Sequence, residues 1–186
     1  MSSPGSRPDV ILRTRRGILG AAGMALLAGC GWQPIYATRS DGTSGPAAQG
    51  LAEISVGLMP DRLGQVLRQA LQTRFERAGS GVAKRYDLVA SFGVAGEALY
   101  LDQTTSIPSR YRMTGLASWS LISMDARRRT LTSGSARVMD GFNIYDQQYF
   151  AMDMENEAVQ QRLAGAVADQ ITLQLAAWFN RHPTAD

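Results

Sequence analysis

The sequence predicts an α+β fold. It is a two-layer sandwich, with two helices packed on one face of a largely antiparallel four-stranded sheet, in the order β-α-β-β-β-α. Three observations carry that expectation. From Leu51 onward, four stretches alternate apolar and polar residues with period two, the mark of a half-buried strand. Two longer stretches repeat apolar residues every three or four positions, so each helix has a single apolar face. Two one-faced helices match one covered sheet face, and the opposite face is left for solvent or a partner.

The elements follow in chain order. In LAEISVGLM, Ile54, Val56 and Leu58 alternate with Glu53, Ser55 and Gly57, giving the first strand. Pro60-Asp61 breaks the alternation, and Asp61 is placed to cap the helix that follows. That helix carries Leu63, Val66, Leu67, Ala70, Leu71, Phe75 and Ala78 on one stripe, and Gly79 and Gly81 supply its stop. Leu88, Ala90, Phe92 and Val94 then share one face of a second strand. Tyr111, Met113, Ala117, Trp119 and Leu121 share one face of a third, and the polar link DARRRT (125–130) turns the chain into the fourth. A last helix runs from about Glu155 to Phe179. Val159, Leu163, Val167, Ile171, Leu175 and Phe179 step along it by four, with Asp153, Glu155 and Glu157 at its start as dipole-compensating charge.

The first thirty residues obey a different logic. Arg7, Arg13, Arg15 and Arg16 make a positive start, and Gly17–Ala28 is uncharged and mostly apolar. Twelve helical residues reach about 18 Å, short of a hydrocarbon core of about 30 Å, so a secretory signal fits better than a spanning helix. Thr14-Arg15-Arg16-Gly17-Ile18-Leu19 also looks like a twin-arginine signal. Both export routes stay open, with the general route preferred because nothing downstream demands folding before export.

Leu27-Ala28-Gly29-Cys30 resembles the lipobox of bacterial lipoproteins. The resemblance implies cleavage after Gly29, with Cys30 carrying an S-diacylglycerol and an N-acyl chain such as palmitate. It accounts for the single cysteine of the 186-residue chain, which has no partner for an internal disulfide. Residues 1–29 are then a removed signal peptide, 30–50 a lipidated N-terminus and flexible tether, and 51–186 a single domain. Of 19 basic and 16 acidic residues, four arginines and one aspartate precede Cys30, which leaves 15 of each. A neutral mature chain has no electrostatic footprint for nucleic acid.

Catalytic chemistry finds no foothold. The one histidine, His182, stands in the polar tail NRHPTAD, and acylation occupies the only thiol. A zinc or iron site would have to be all-carboxylate, which suits neither metal, and no glycine pattern makes a phosphate loop. The expectation is therefore no enzyme, no metal and no cofactor. Arg127-Arg128-Arg129 is the one compact basic run. It reads either as a solvated hairpin turn or as a bidentate grip on phosphate or carboxylate. Arg110 and Arg112 precede it on the third strand and Arg137 follows on the fourth, so several guanidiniums are placed to converge.

With these parts assembled, the chain resembles the LPS-assembly lipoprotein LptE family of Gram-negative outer membranes, in its alphaproteobacterial type. The matching residues are Cys30-Gly31-Trp32-Gln33-Pro34-Ile35-Tyr36, the helix signature Arg62–Leu71, and Phe142-Asn143-Ile144-Tyr145 followed by Glu157-Ala158 and Leu163-Ala164. Trp32 and Ile35 stand where the family has Phe and Leu, and keep their physical role. The resemblance implies a lipid-anchored protein on the periplasmic side of the outer membrane. Such a protein partners the LptD β-barrel as plug and assembly factor in lipopolysaccharide transport, and can contact lipopolysaccharide. Arg127, Arg128 and Arg129, then Arg110 and Arg112, are the expected lipopolysaccharide or barrel contacts. Two other readings stay open, a structural adaptor lipoprotein of another outer-membrane machine and a lipid-binding chaperone domain.

Overall fold

A computed structural model describes residues 44–78, 81–101, 108–143 and 149–183. The expected signal, Cys30, the tether up to residue 43 and the helix stop at Gly79 lie outside the described residues. Seven elements lie among the described residues: α1 (Pro46–Ala52), β1 (Ile54–Val56), α2 (Arg62–Ala78), β2 (Tyr86–Leu101), β3 (Pro108–Ser123), β4 (Thr130–Asn143) and α3 (Tyr149–Arg181). The sheet order is β1-β2-β3-β4. β1 lies parallel to β2 with Val56 beside Leu88. The other two pairings are antiparallel, with Ala90 beside Trp119 and Ala117 beside Ala136. The parallel pair follows from the helix between its strands, since a crossover returns the chain to the same end of the sheet.

The expected α+β architecture is present, with three helices among the described residues where two were expected. α1 falls on residues that the sequence assigns to the tether. Pro46 starts it, where a missing N–H costs nothing, and Ala47, Ala48, Gly50, Leu51 and Ala52 are buried. A run of small residues reads as linker by composition, yet the same absence of bulk lets a short helix lie close against α2 and α3. A Cβ on Gly50 would stand 2.3 Å from the Phe179 ring, so only glycine fits there.

The core sits between the sheet and the helical layer. Leu67, Leu71 and Phe75 of α2, with Val159, Leu163, Val167, Ile171, Leu175 and Phe179 of α3, are at most 1% exposed. They meet Leu88, Phe92, Met113, Ala117, Trp119, Leu121 and Ala136 of the sheet. Each large side chain so buried contributes about 1.5–3 kcal/mol, which makes these stripes the main reason the layers hold. Asp61 caps α2 as expected, its Oδ1 accepting from the Gly64 N–H. Arg74 clasps the two long helices, its Nε 2.6 Å from Asp169 Oδ1 and a guanidinium nitrogen donating to the Gly165 carbonyl at 2.9 Å.

The start of α3 corrects the sequence reading. The helix begins at Tyr149, because no glycine or proline interrupts 149–155. Asp153, Glu155 and Glu157 therefore lie beyond its first turn, and dipole compensation does not explain them. Glu157 instead pairs with Arg62 of α2. At the other end, His182 is ordered onto the helix: its ring stacks on Trp178 with centroids 4.8 Å apart, and its N–H donates to the Trp178 carbonyl at 3.0 Å.

Candidate functional site

The β3–β4 turn is built around Asp125. Its Oδ1 accepts from the backbone N–H groups of Arg127 at 3.0 Å and Arg128 at 2.9 Å. The Ser123 hydroxyl, those two N–H groups and the Arg129 charge together hold the Asp125 carboxyl below the usual aspartate range. The Arg129 N–H donates back to Ser123 Oγ at 3.2 Å, closing the turn. Arg128 sits in the left-handed region at φ 44°, a conformation in which side chains other than Gly, Asn or Asp cost roughly 1–2 kcal/mol. A glycine would relieve that cost, yet the position holds an arginine.

The three guanidiniums are not equivalent. Arg128 reaches across to Asp87 on β2, 3.2 Å away. Arg129 lies 3.8 Å from the Asp125 carboxylate. Arg127 has no carboxylate partner among the described residues. Two further cations, Lys84 and Arg85, join this end of the sheet just ahead of β2, through bonds beyond the ends of β1 and β3 that sequence reasoning missed because they depend on long-range register. The Met124 N–H donates to the Arg85 carbonyl at 2.9 Å, bringing Arg85 beside the turn, and Lys84 Nζ donates to the Ala52 carbonyl at 2.7 Å. Lys84, Arg85 and Arg127–Arg129 thus face three acids, Glu53, Asp87 and Asp125, and this end of the sheet is basic on balance.

Arg110 and Arg112 do not converge with that turn. Arg112 stands eleven positions before Ser123 on β3, about 36 Å of extended chain. The period-two alternation showed which face they occupy but not how far the strand runs. Arg112 is engaged on the sheet surface, its Nε 2.6 Å from Glu97 Oε1 on the facing β2 position. Arg110 is exposed near the same end. Arg137 lies mid-sheet on β4, its N–H donating to Gln170 Oε1 at 3.2 Å.

The sheet face away from the helices is bounded by two cross-strand ion pairs, Asp87–Arg128 at one end and Glu97–Arg112 at the other. Between them it is smooth and nearly uncharged. Ser91, Ser118, Ser120, Ser133 and Ser135 line a shallow depression beside Val89. Leu116 and Met139 are 49% and 58% exposed on the same surface, and Arg137 is its one charge. Among the described residues no group of three or more His, Cys, Asp or Glu stands close enough to hold a metal, and no helix is long and apolar enough to cross a membrane.

The class that this fold defines is a two-layer α+β domain whose four-stranded sheet, among the described residues, has one face bare of helices. Solved structures share it. A lipoprotein from Caulobacter crescentus CB15 superposes with a TM-score of 0.60 at 23% identity, over 76% of this chain and all of that one. Rare lipoprotein B from Shewanella oneidensis superposes at 0.51 with 13% identity, over 67% of this chain and 92% of that one. No curated protein matches the chain. The sequence itself matches the lipopolysaccharide-assembly family LptE over residues 51–175, and the chain belongs to that family.

Proposed function

We propose that this chain is an outer-membrane lipoprotein, anchored on the periplasmic side through acylated Cys30, that partners an LptD-like β-barrel as plug and assembly factor for lipopolysaccharide. The observation that carries the reading is the family match across the folded body from Leu51 to Leu175. The physical picture supports it. A neutral domain suits the polar interior of a large barrel, and a smooth uncharged sheet face suits contact with a wall. Acyl chains contribute about 0.8 kcal/mol per buried CH₂, so several of them make anchoring effectively permanent. Its part in the assembly is non-enzymatic, to bind and to fill space.

The basic turn is the proposed lipopolysaccharide contact. Arginine suits phosphate because its planar fork donates two parallel hydrogen bonds. Arg127 leads, since it has no carboxylate to release; Arg128 and Arg129 must first loosen from Asp87 and Asp125. Arg110 and Arg112 form a second, distant contact, and Arg112 is already held by Glu97. Replacing Arg127, Arg128 and Arg129 with Ser is expected to weaken lipopolysaccharide binding in vitro while the helical circular dichroism signal stays intact. Unchanged binding would reject the turn as the contact. Intact-mass measurement of the mature protein tests the anchor: a chain that starts at Cys30 with lipid mass attached is expected, and a bare thiol preceded by residues 1–29 would refute it.

A further inference from the structure

Among the described residues, three acids face the basic turn, and one of them holds a guanidinium within hydrogen-bond reach. Arg128 Nη2 donates to Asp87 Oδ2 at 3.2 Å, whereas Arg129 and Asp125, like Arg85 and Glu53, stand 3.8 Å apart. The two partners have unequal supports. Asp87 lies inside the sheet, beside Ser55 of β1 and Ile122 of β3, so its backbone is fixed on both sides. Its side chain is 21% exposed, against 61% for Arg128. The carboxylate is built into the fold, and the guanidinium comes to it from a turn.

Arg128 reaches that place in a costly conformation. Its φ of 44° is one that glycine adopts freely and arginine does not. Asp125 holds the backbone there, taking the N–H groups of Arg127 and Arg128 on one oxygen. An ion pair with one partner so open to water contributes less to stability than that conformation costs. A position that keeps its arginine against this balance points to a use for the guanidinium beyond the fold.

We infer that Asp87 is a built-in competitor for the phosphate that the basic turn receives: its carboxylate holds the place at Arg128 that a phosphate oxygen takes on binding. The inference rests on the turn being the lipopolysaccharide contact, and adds how that contact is regulated. Carboxylate and phosphate offer a guanidinium the same thing, anionic oxygens for its N–H donors. Arg127 makes the first contact, and Arg128 follows by leaving Asp87 for the phosphate. Asp87 stays in place on β2, so it recaptures Arg128 when the ligand departs. The exchange lowers affinity and favours release, which suits a protein that passes its ligand on. The contrasting role is a staple, in which Asp87 only ties the turn to the sheet, and there removing its charge would loosen the turn and weaken binding.

The test measures binding of purified lipopolysaccharide to the purified protein in detergent. Asp87→Asn keeps the shape of the side chain and removes its charge, and is expected to tighten binding about two- to fivefold, the range an exposed ion pair is worth. Asp87→Ser is expected to do the same. In an Arg128→Ser background, Asp87→Asn should change nothing, because no guanidinium is left to release. Glu155→Gln removes an equal charge from the exposed start of α3 and should leave affinity unchanged. Dephosphorylated lipopolysaccharide should bind the wild type and Asp87→Asn alike. Loss of the fold in both Asp87 variants, or unchanged or weaker binding by both, makes the pair a staple and overturns the inference. So does tightening that persists without Arg128, that Glu155→Gln matches, or that survives removal of phosphate. Replacing Arg127, Arg128 and Arg129 with Ser separates the two claims. Wild-type binding by that variant rejects the turn itself; weak binding there, without tightening by Asp87→Asn, rejects the competitor alone.

Discussion

Replacing Gly50 with alanine tests whether α1 is packed where the sequence suggests a tether. The new Cβ would lie 2.3, 2.4 and 2.6 Å from Phe179 Cδ1, Cγ and Cε1. Ordinary carbon contacts are about 3.5–4.0 Å, so the ring must retreat by about 1 Å or the helix must lift. The ring has little room: Tyr86 meets it edge-on at 5.3 Å and Trp178 at 5.0 Å. Overpacking of this kind costs about 1–3 kcal/mol, against which alanine gains about 1 kcal/mol over glycine inside a helix. The net expectation is a loss of about 1 kcal/mol, read as a lower urea midpoint with unchanged slope. Phe179→Leu alone should cost about 1–2 kcal/mol by leaving space, and the two changes together should cost less than their sum by about 1 kcal/mol. The reasoning is refuted if Gly50→Ala stabilises the protein by about 1 kcal/mol and adds independently to Phe179→Leu. That result would mean that α1 is helical but does not pack against Phe179.

Two further outcomes are expected. Asp61→Ala removes the side chain that caps α2 and should lower stability by about 1 kcal/mol, or roughly 2–4 °C in melting temperature by calorimetry. Acid should loosen the β3–β4 turn and the β4 edge first. Burial alone would raise the Asp140 carboxyl, but its bond from Arg162, the Gly141 N–H and the Arg162 charge outweigh that and lower it; Asp125 is lowered as well. Both groups bind protons less readily folded than unfolded. Their contribution is therefore complete above the free aspartate value of about 3.9 and is lost as pH falls through and below it. The protection of the Arg128 and Gly141 amides against exchange, relative to a free chain at the same pH, should fall across that window. Protection that does not change with pH would contradict the assigned bonds.

Much of the fold was legible because burial repeats with the period of its element. The α3 stripe from Val159 to Phe179 and the alternation from Met113 to Leu121 are the buried faces found. α1 was not legible, because alanine and glycine look alike in a linker and in a close helix contact; only the position of Phe179, more than a hundred residues away, separates the two. The start of α3 is hidden for a related reason: acidic residues read as a helix boundary, although one of them, Glu157, serves a helix–helix pair. At the candidate site, the turn at Arg127–Arg129 was visible as a charge run. Its separation from Arg112 by the length of a strand was not, and neither was the arrival of Arg85 at the end of the antiparallel β2–β3 pairing.

The central claim is a partnership, and the most direct measurement is what this chain holds on to in its own membrane. Outer membranes solubilised in mild detergent, with a tag placed after Asp186, should yield a large β-barrel protein in equal molar amount with the tagged chain. Recovery of the chain without any barrel, or with components of a different envelope machine, would contradict the account.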